Sequence, residues 1–153
     1  MAINPNTDFS SGAVLTAAQQ NRFPRGVMAY STKTTDYFAT TTLGDIGLSA
    51  TFTAVANRYY KYTFGVYATD SNSASYIYTA ITDSANAVKG DNYTVSLGVG
   101  RYLGYTFSYV STESAGSVTR KARVNTGVGT ATLYAGSGHA NFIYLLVEDI
   151  GPA

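Results

Sequence analysis

The C-terminal stretch, Asn141 to Ala153, constrains the fold most. Phe142, Ile143, Tyr144, Leu145, Leu146 and Val147 follow one another without a polar break, and Glu148 and Asp149 then stop the run. Such a run has the length of a strand, and neither of its faces alternates to polar. It therefore reads as a strand covered on both faces, the central one around which the earlier hairpins pack. Glu148 and Asp149 mark where it leaves the core, and Gly151-Pro152 ends it. Its pairing partners must lie far back in the sequence.

Upstream, period-two alternation recurs. Leu48, Ala50, Phe52 and Ala54 would share one face of a strand. Ala56-Asn57 makes a tight turn into a long strand from Arg58 to Thr69, with Tyr60, Tyr62, Phe64, Val66 and Ala68 on one face. Val27 to Tyr30 opens the series. Tyr76 to Ile81, Tyr93 to Leu97, Tyr105 to Tyr109, Val118 to Val124 and Thr130 to Tyr134 continue it. The stretches between are rich in Gly, Asn, Asp and Ser, with loops expected at 83–92 and 113–117. The charged fraction is 12%, about half of the ~25% usual for globular proteins. Thr, Tyr, Gly and Ser take that space, which favours strands and turns and makes the surface cheap to desolvate. The expected fold is all-β: an antiparallel β-sandwich of jelly-roll type, with a closed barrel as the alternative. No period of 20–50 residues repeats, which argues against a solenoid or propeller.

Residues 1–26 read differently. Asn4-Pro5-Asn6 and Ser10-Ser11-Gly12 are turn formers with little to bury, as in an extended arm that docks on a neighbour. Thr16 can cap a short helix over Ala17 to Asn21, with Gln19 as its capping-box partner, before Pro24 and Gly26 stop it. The expected organisation is an arm and short helix over 1–26 for docking and assembly, and a sandwich domain over 27–153.

The sequence offers little to an enzyme. It has no cysteine and one histidine, His139, in a Gly-Ser-Gly-His turn, so a thiolate nucleophile is excluded and a zinc centre is not expected. No phosphate-cradling loop or nucleophile elbow is present. A calcium site around Asp83 and Asp91 would lack the ligand density of a calcium loop. No catalytic residue, metal or cofactor is expected. The formal net charge of +1 announces no nucleic-acid partner. No apolar run approaches the ~20 residues of a membrane helix, and the N-terminus lacks the basic-then-apolar pattern of a secretory signal. Arg120, Lys121 and Arg123 form the basic cluster, read as a solvated strand face and as the candidate contact for an anion or glycan. Phe9, Leu15, Phe23, Arg25, Tyr37, Tyr67 and Tyr102 are the candidate interface residues, since aromatics and Arg anchor protein contacts.

Three segments carry a resemblance. Leu15-Thr16-Ala17-Ala18-Gln19-Gln20-Asn21-Arg22-Phe23-Pro24-Arg25-Gly26-Val27 resembles the opening segment of tail proteins from phages that infect actinobacteria. Phe52-Thr53-Ala54-Val55-Ala56-Asn57-Arg58-Tyr59-Tyr60 resembles their strand-turn-strand signature. Leu146-Val147-Glu148-Asp149-Ile150-Gly151 resembles their ending. The resemblance implies a virion structural protein made in the host cytoplasm and carried on the particle: a β-sandwich module of minor tail or fibre type, assembled as a homotrimer. Its expected partners are other virion proteins (tail or major capsid protein) and a host-surface glycan. A capsid decoration protein is the alternative. A carbohydrate-binding module is a further one, although such a platform would be expected to use Trp, which is absent.

Overall fold

Ten strands pair as nested antiparallel hairpins in a computed structural model, which describes Gly12, Val14 and residues 16–71, 75–95, 99–136 and 142–153. The strands are β1 (Gly26–Thr32), β2 (Tyr37–Ala39), β3 (Gly44–Ala54), β4 (Arg58–Asp70), β5 (Tyr76–Thr82), β6 (Val88–Val95), β7 (Tyr102–Thr112), β8 (Gly116–Thr126), β9 (Ala131–Leu133) and β10 (Tyr144–Pro152). The innermost pair is β5 with β6. Around it nest β4 with β7, β3 with β8, and β1 with β10. Folding this ribbon over brings β10 beside β4 and β8 beside β5. The result is two sheets, β1-β10-β4-β7 and β3-β8-β5-β6, which is the wiring of a jelly roll. The short β9 and β2 extend the first sheet beyond the end of β10. The molecule is an all-β antiparallel sandwich of two sheets.

The alternation read from the sequence sets the core. Tyr60, Tyr62, Phe64 and Val66 of β4 meet Ile46, Leu48 and Phe52 of β3, with Leu145 and Val147 of β10 and Val124 of β8. Each large apolar side chain buried this way contributes about 1.5–3 kcal/mol. Phe52 packs its ring 5.0 Å from Tyr60 and 6.1 Å from Tyr62. Tyr60 is wholly buried, and its hydroxyl accepts the Val55 N–H at 2.8 Å. The tight turn at Ala56-Asn57 holds Asn57 at φ 59°, a left-handed conformation that Asn tolerates.

The last strand lies inside its sheet, between β1 and β4. Its burial corrects the expectation that both faces are covered. Leu145, Val147 and Asp149 point into the sandwich and are buried, whereas Tyr144, Leu146 and Glu148 are half-exposed and Ile150 is exposed. A sandwich has two layers, so the outer face of this sheet has no third layer upon it. The expected loop over 83–92 is shorter, because β6 already begins at Val88. Asp83 ends β5's turn by accepting the N–H groups of Ala85 and Ala87, and Asn86 supplies the positive φ. β8 likewise begins at Gly116, inside the expected 113–117 loop.

Before β1 the chain makes one helical turn, Ala17–Gln20. Thr16 Oγ1 accepts the Gln19 N–H at 3.2 Å and Gln19 Oε1 accepts the Thr16 N–H at 2.9 Å. One turn adds no layer to the all-β architecture. Most of the arm, with Phe9 and Leu15, lies outside the described residues, as does His139.

Candidate functional site

The three segments that carry the resemblance come together at one end of the sandwich. Arg58 opens β4 and Asp149 lies near the end of β10, and both side chains point into the interior. Arg58 donates from Nε and Nη2 to the two oxygens of Asp149, the second at 2.7 Å. The rest of its guanidinium faces the N-terminal segment. Nη1 donates to the Asn21 carbonyl and Nη2 to the Phe23 carbonyl, each at 2.6 Å. Asp149 also accepts the Gly151 N–H at 3.0 Å, across a bulge where Gly151 takes φ 123°. The Ala153 N–H donates to the Asn57 carbonyl at 2.9 Å. This forms a latch: a buried, doubly bonded ion pair, rigid in the manner of Arg–carboxylate forks, that ties the segment leading out of the domain to its last strand. The Asp149 bond holds the Arg58 pKa above its usual value against the effect of burial.

A second buried pair crosses between the sheets. Glu113, in the β7–β8 connection, accepts from Tyr62 Oη at 2.7 Å, Ser111 Oγ at 3.0 Å and Arg120 Nη2. Arg120 also donates to Tyr109 Oη at 3.2 Å, and its guanidinium carbon stands 5.3 Å from the centre of the Tyr62 ring. Tyr62 and Tyr109 stack at 4.7 Å. Burial pushes the Glu113 carboxyl up, but the Tyr62, Arg120 and Ser111 bonds outweigh it and hold it below the usual range. Burial likewise pushes the Tyr109 hydroxyl up to about 12, although Arg120 opposes it.

This pair corrects the expected solvated basic cluster. Arg120 shares the parity of Ala122 and Val124, faces inward and is 6% exposed. It is committed to Glu113 and cannot meet an external anion. Lys121 and Arg123 do face outward. Lys121 stands 3.9 Å from Asp45, and Arg123 donates Nη2 to the Leu43 carbonyl. The parity was visible in the sequence: residues one apart on a strand cannot form one face.

The outer face of the β1-β10-β4-β7 sheet mixes exposed apolar side chains with internally paired polar ones. Tyr30, Leu146, Thr63 and Ser108 form one row across it, and Val27, Glu148, Lys61 and Val110 form the next. Val27, Tyr30, Val110 and Ile150 are exposed. Lys61 and Glu148 stand 3.6 Å apart in its middle and neutralise each other. Tyr144 lies over Gly65, where an added Cβ would sit 2.2 Å from its ring. Toward the far end Tyr67 and Tyr102 stack at 5.6 Å, with Tyr134 and Phe142 packed against Tyr67. The structure thus brings together two of the candidate interface residues, Tyr67 and Tyr102. Tyr37 is elsewhere, packed against the core with Lys33 above its ring. Phe23 and Arg25 are exposed beside the latch. Sequence reasoning missed Tyr30, Leu146 and Val110, whose outward direction depends on which face each strand buries.

Among the described residues no three His, Cys, Asp or Glu side chains group as metal ligands would. Asp83 pairs with Lys89 at 3.1 Å, and Asp91 accepts from Tyr78 Oη at 2.8 Å through one of its two oxygens.

No protein-family model matches the chain, and neither does any curated protein. Among solved structures the fold is similar to Eiger TNF from S. frugiperda, with TM-score 0.51 and 10% identity over 84% of this chain and 96% of that one. It also bears a looser likeness to a chain of infectious bursal disease virus, Gx strain, with TM-score 0.47 and 13% identity over 85% of this chain and 37% of that one. A family 6 carbohydrate-binding module of Cellvibrio mixtus lichenase 5A, in complex with cellotriose, has TM-score 0.37 and 13% identity over 85% of this chain and 92% of that one. At such identities a likeness speaks for the fold alone.

Proposed function

We propose that this chain is a virion structural protein of a tailed bacteriophage, displayed on the particle surface as a module of minor tail or fibre type. The observation that carries the reading is the latch. The three segments resembling actinobacteriophage tail proteins are far apart in sequence, yet Asn21, Phe23, Asn57, Arg58, Asp149 and Gly151 from all three meet around one ion pair. They converge because β1, β10 and β4 are neighbours in the sheet, and the ion pair makes the three matching segments one structural unit. In this reading the latch fixes how the domain hangs from its N-terminal segment, the end through which it docks on other virion proteins.

The outer face of the β1-β10-β4-β7 sheet supplies self-assembly. Exposed Val27, Tyr30, Val110 and Ile150 surround an internally neutral Lys61–Glu148 pair. A second copy would meet no net charge there, and burying the exposed Val27, Tyr30, Val110 and Ile150 is the favourable term that offsets desolvating the ion pair. The resemblance implies three copies, which would stand around an axis that this face lines. The reading includes no catalysis; buried Asp149 and partly buried Glu113 are each held by an arginine.

Immunogold labelling of intact particles with antibody against this chain tests the proposal. Label at the tail supports it. Label spread over the head makes the chain a decoration protein bound to the major capsid lattice. No label on any particle overturns the virion reading and leaves the carbohydrate-binding module.

A further inference from the structure

The outer face of the other sheet, β3-β8-β5-β6, has a different chemistry. Its strands present Ser49, Thr51, Lys121, Arg123, Asn125 and Asp91 outward. At one end lies a ribbon of three tyrosines. Tyr93 of β6 is paired with Tyr78 of β5, their rings 4.4 Å apart, and makes an edge contact with Tyr76 at 5.2 Å. Tyr93 is 63% exposed.

The ribbon is held in place from both sides. Tyr76 lies over Gly127, where an added Cβ would sit 2.6 Å from its ring. Tyr78 donates its hydroxyl to Asp91 at 2.8 Å. Asp91 stands two residues before Tyr93 on the same face, a strand rise of about 7 Å. A ring face flanked at this distance by a carboxylate suits a sugar, whose C–H face stacks on the phenol while its hydroxyls donate to the acid.

Unused hydrogen-bonding capacity lies on the same face. Among the described residues the buried side-chain polar atoms without a partner are Thr82 Oγ1, Arg123 Nε and Asn125 Oδ1. The strand pairing puts all three on this face, with Asn125 opposite Tyr78 and Arg123 opposite Ala80. Being buried, these atoms do not themselves touch a ligand on the surface, and the contacts on this face come from the exposed Tyr93 and Asp91.

We propose that this face binds a neutral oligosaccharide, with Tyr93 as the stacking platform and Asp91 as the acceptor for vicinal hydroxyls. Charge decides against an acidic glycan. Lys121 faces Asp45 and Lys89 faces Asp83, and Arg123 and Asp91 stand on either side of Ala80 in one row, so the face beside the rings carries no net charge to hold an acidic sugar. Tyrosines also suit a protein contact; the carboxylate beside the rings favours the sugar, and absence of glycan binding is the outcome that would point to a protein instead. The inference goes beyond display and is tested on the purified chain, so it stands or falls separately from the particle labelling.

The full chain is applied to a glycan array carrying neutral and acidic oligosaccharides, and the strongest ligand is then titrated calorimetrically. The chain has no Trp, so a tyrosine ultraviolet difference spectrum reports ring contact directly. The expected result is binding to neutral glycans with a tyrosine perturbation. Tyr93→Ala should weaken it about tenfold or more, the scale of one lost stacking contact. Asp91→Asn should weaken it several-fold. Binding to acidic glycans alone, no binding to any glycan, or wild-type affinity in a folded Tyr93→Ala variant would each overturn the proposal. If Tyr93→Ala fails to fold, the Asp91→Asn titration and the wild-type difference spectrum decide.

Discussion

Arg58 and Asp149 lie 91 residues apart in the chain and meet as a two-pronged buried pair, Nε to Oδ2 and Nη2 to Oδ1. Their side chains are 5% and 0% exposed, so each is the other's substitute for water. Breaking a buried pair from one side strands a charge and costs about 3–5 kcal/mol, whereas replacing both partners costs far less. Arg58→Met and Asp149→Leu are each expected to lower the unfolding free energy by about that amount, and the double variant to regain much of it. Urea unfolding of the four proteins measures the coupling. Single losses that simply add in the double variant would show that the two side chains act independently.

Glu113 gives a pH signature. Its folded pKa lies below the ordinary value of 4.5, so its contribution is fully present above that pH and is lost as pH falls through the folded value. Glu113→Gln is expected to cost about 1–3 kcal/mol at neutral pH, the range for a charge-assisted hydrogen bond. The gap to wild type should narrow as both are titrated below pH 4.5 and through the depressed folded value. Thermal melts across that range check it, and a gap independent of pH would mean that the Glu113 charge contributes nothing.

Two glycines on the outer face of the same sheet should respond differently to alanine. At Gly65 an added Cβ falls 2.2 Å from the Tyr144 ring, while at Gly104 it falls 3.4 Å from Tyr67, an ordinary contact. Gly65→Ala must displace Tyr144 and is expected to cost about 1–3 kcal/mol. Gly104→Ala should be neutral or slightly stabilising, since Ala is a better strand residue. Equal melting temperatures for the two variants would count against the packing described for Tyr144.

Strand alternation made much of the fold legible. The inward sets of β3 and β4 could be read off because polar residues separate them, and Asn57 announced its turn. The outer face of β10 could not be read. Tyr144, Leu146 and Ile150 are apolar, and a strand with two apolar faces looks the same whether its own domain or another chain covers it. The ion pairs were illegible for another reason: Arg58 with Asp149 and Arg120 with Glu113 depend on which strands become neighbours, which local pattern does not state. Arg120 was nonetheless distinguishable from Lys121 by parity. β2 escaped notice because three residues, Tyr37–Ala39, are too few to show a period. The tyrosine ribbon was spread over Tyr76, Tyr78 and Tyr93, and only the β5–β6 register joins them.

The division between an assembling face and a displayed one is tested most directly by the solution mass of the purified chain. Light scattering coupled to size exclusion is expected to give three times the 16.2 kDa of one chain. Leu146→Glu, which puts a charge between Tyr30 and Thr63 in the middle of the assembling face, should reduce the mass to that of one folded chain. A wild-type protein that stays monomeric at the highest concentration reached, or a Leu146→Glu variant that assembles as wild type does, would contradict the account.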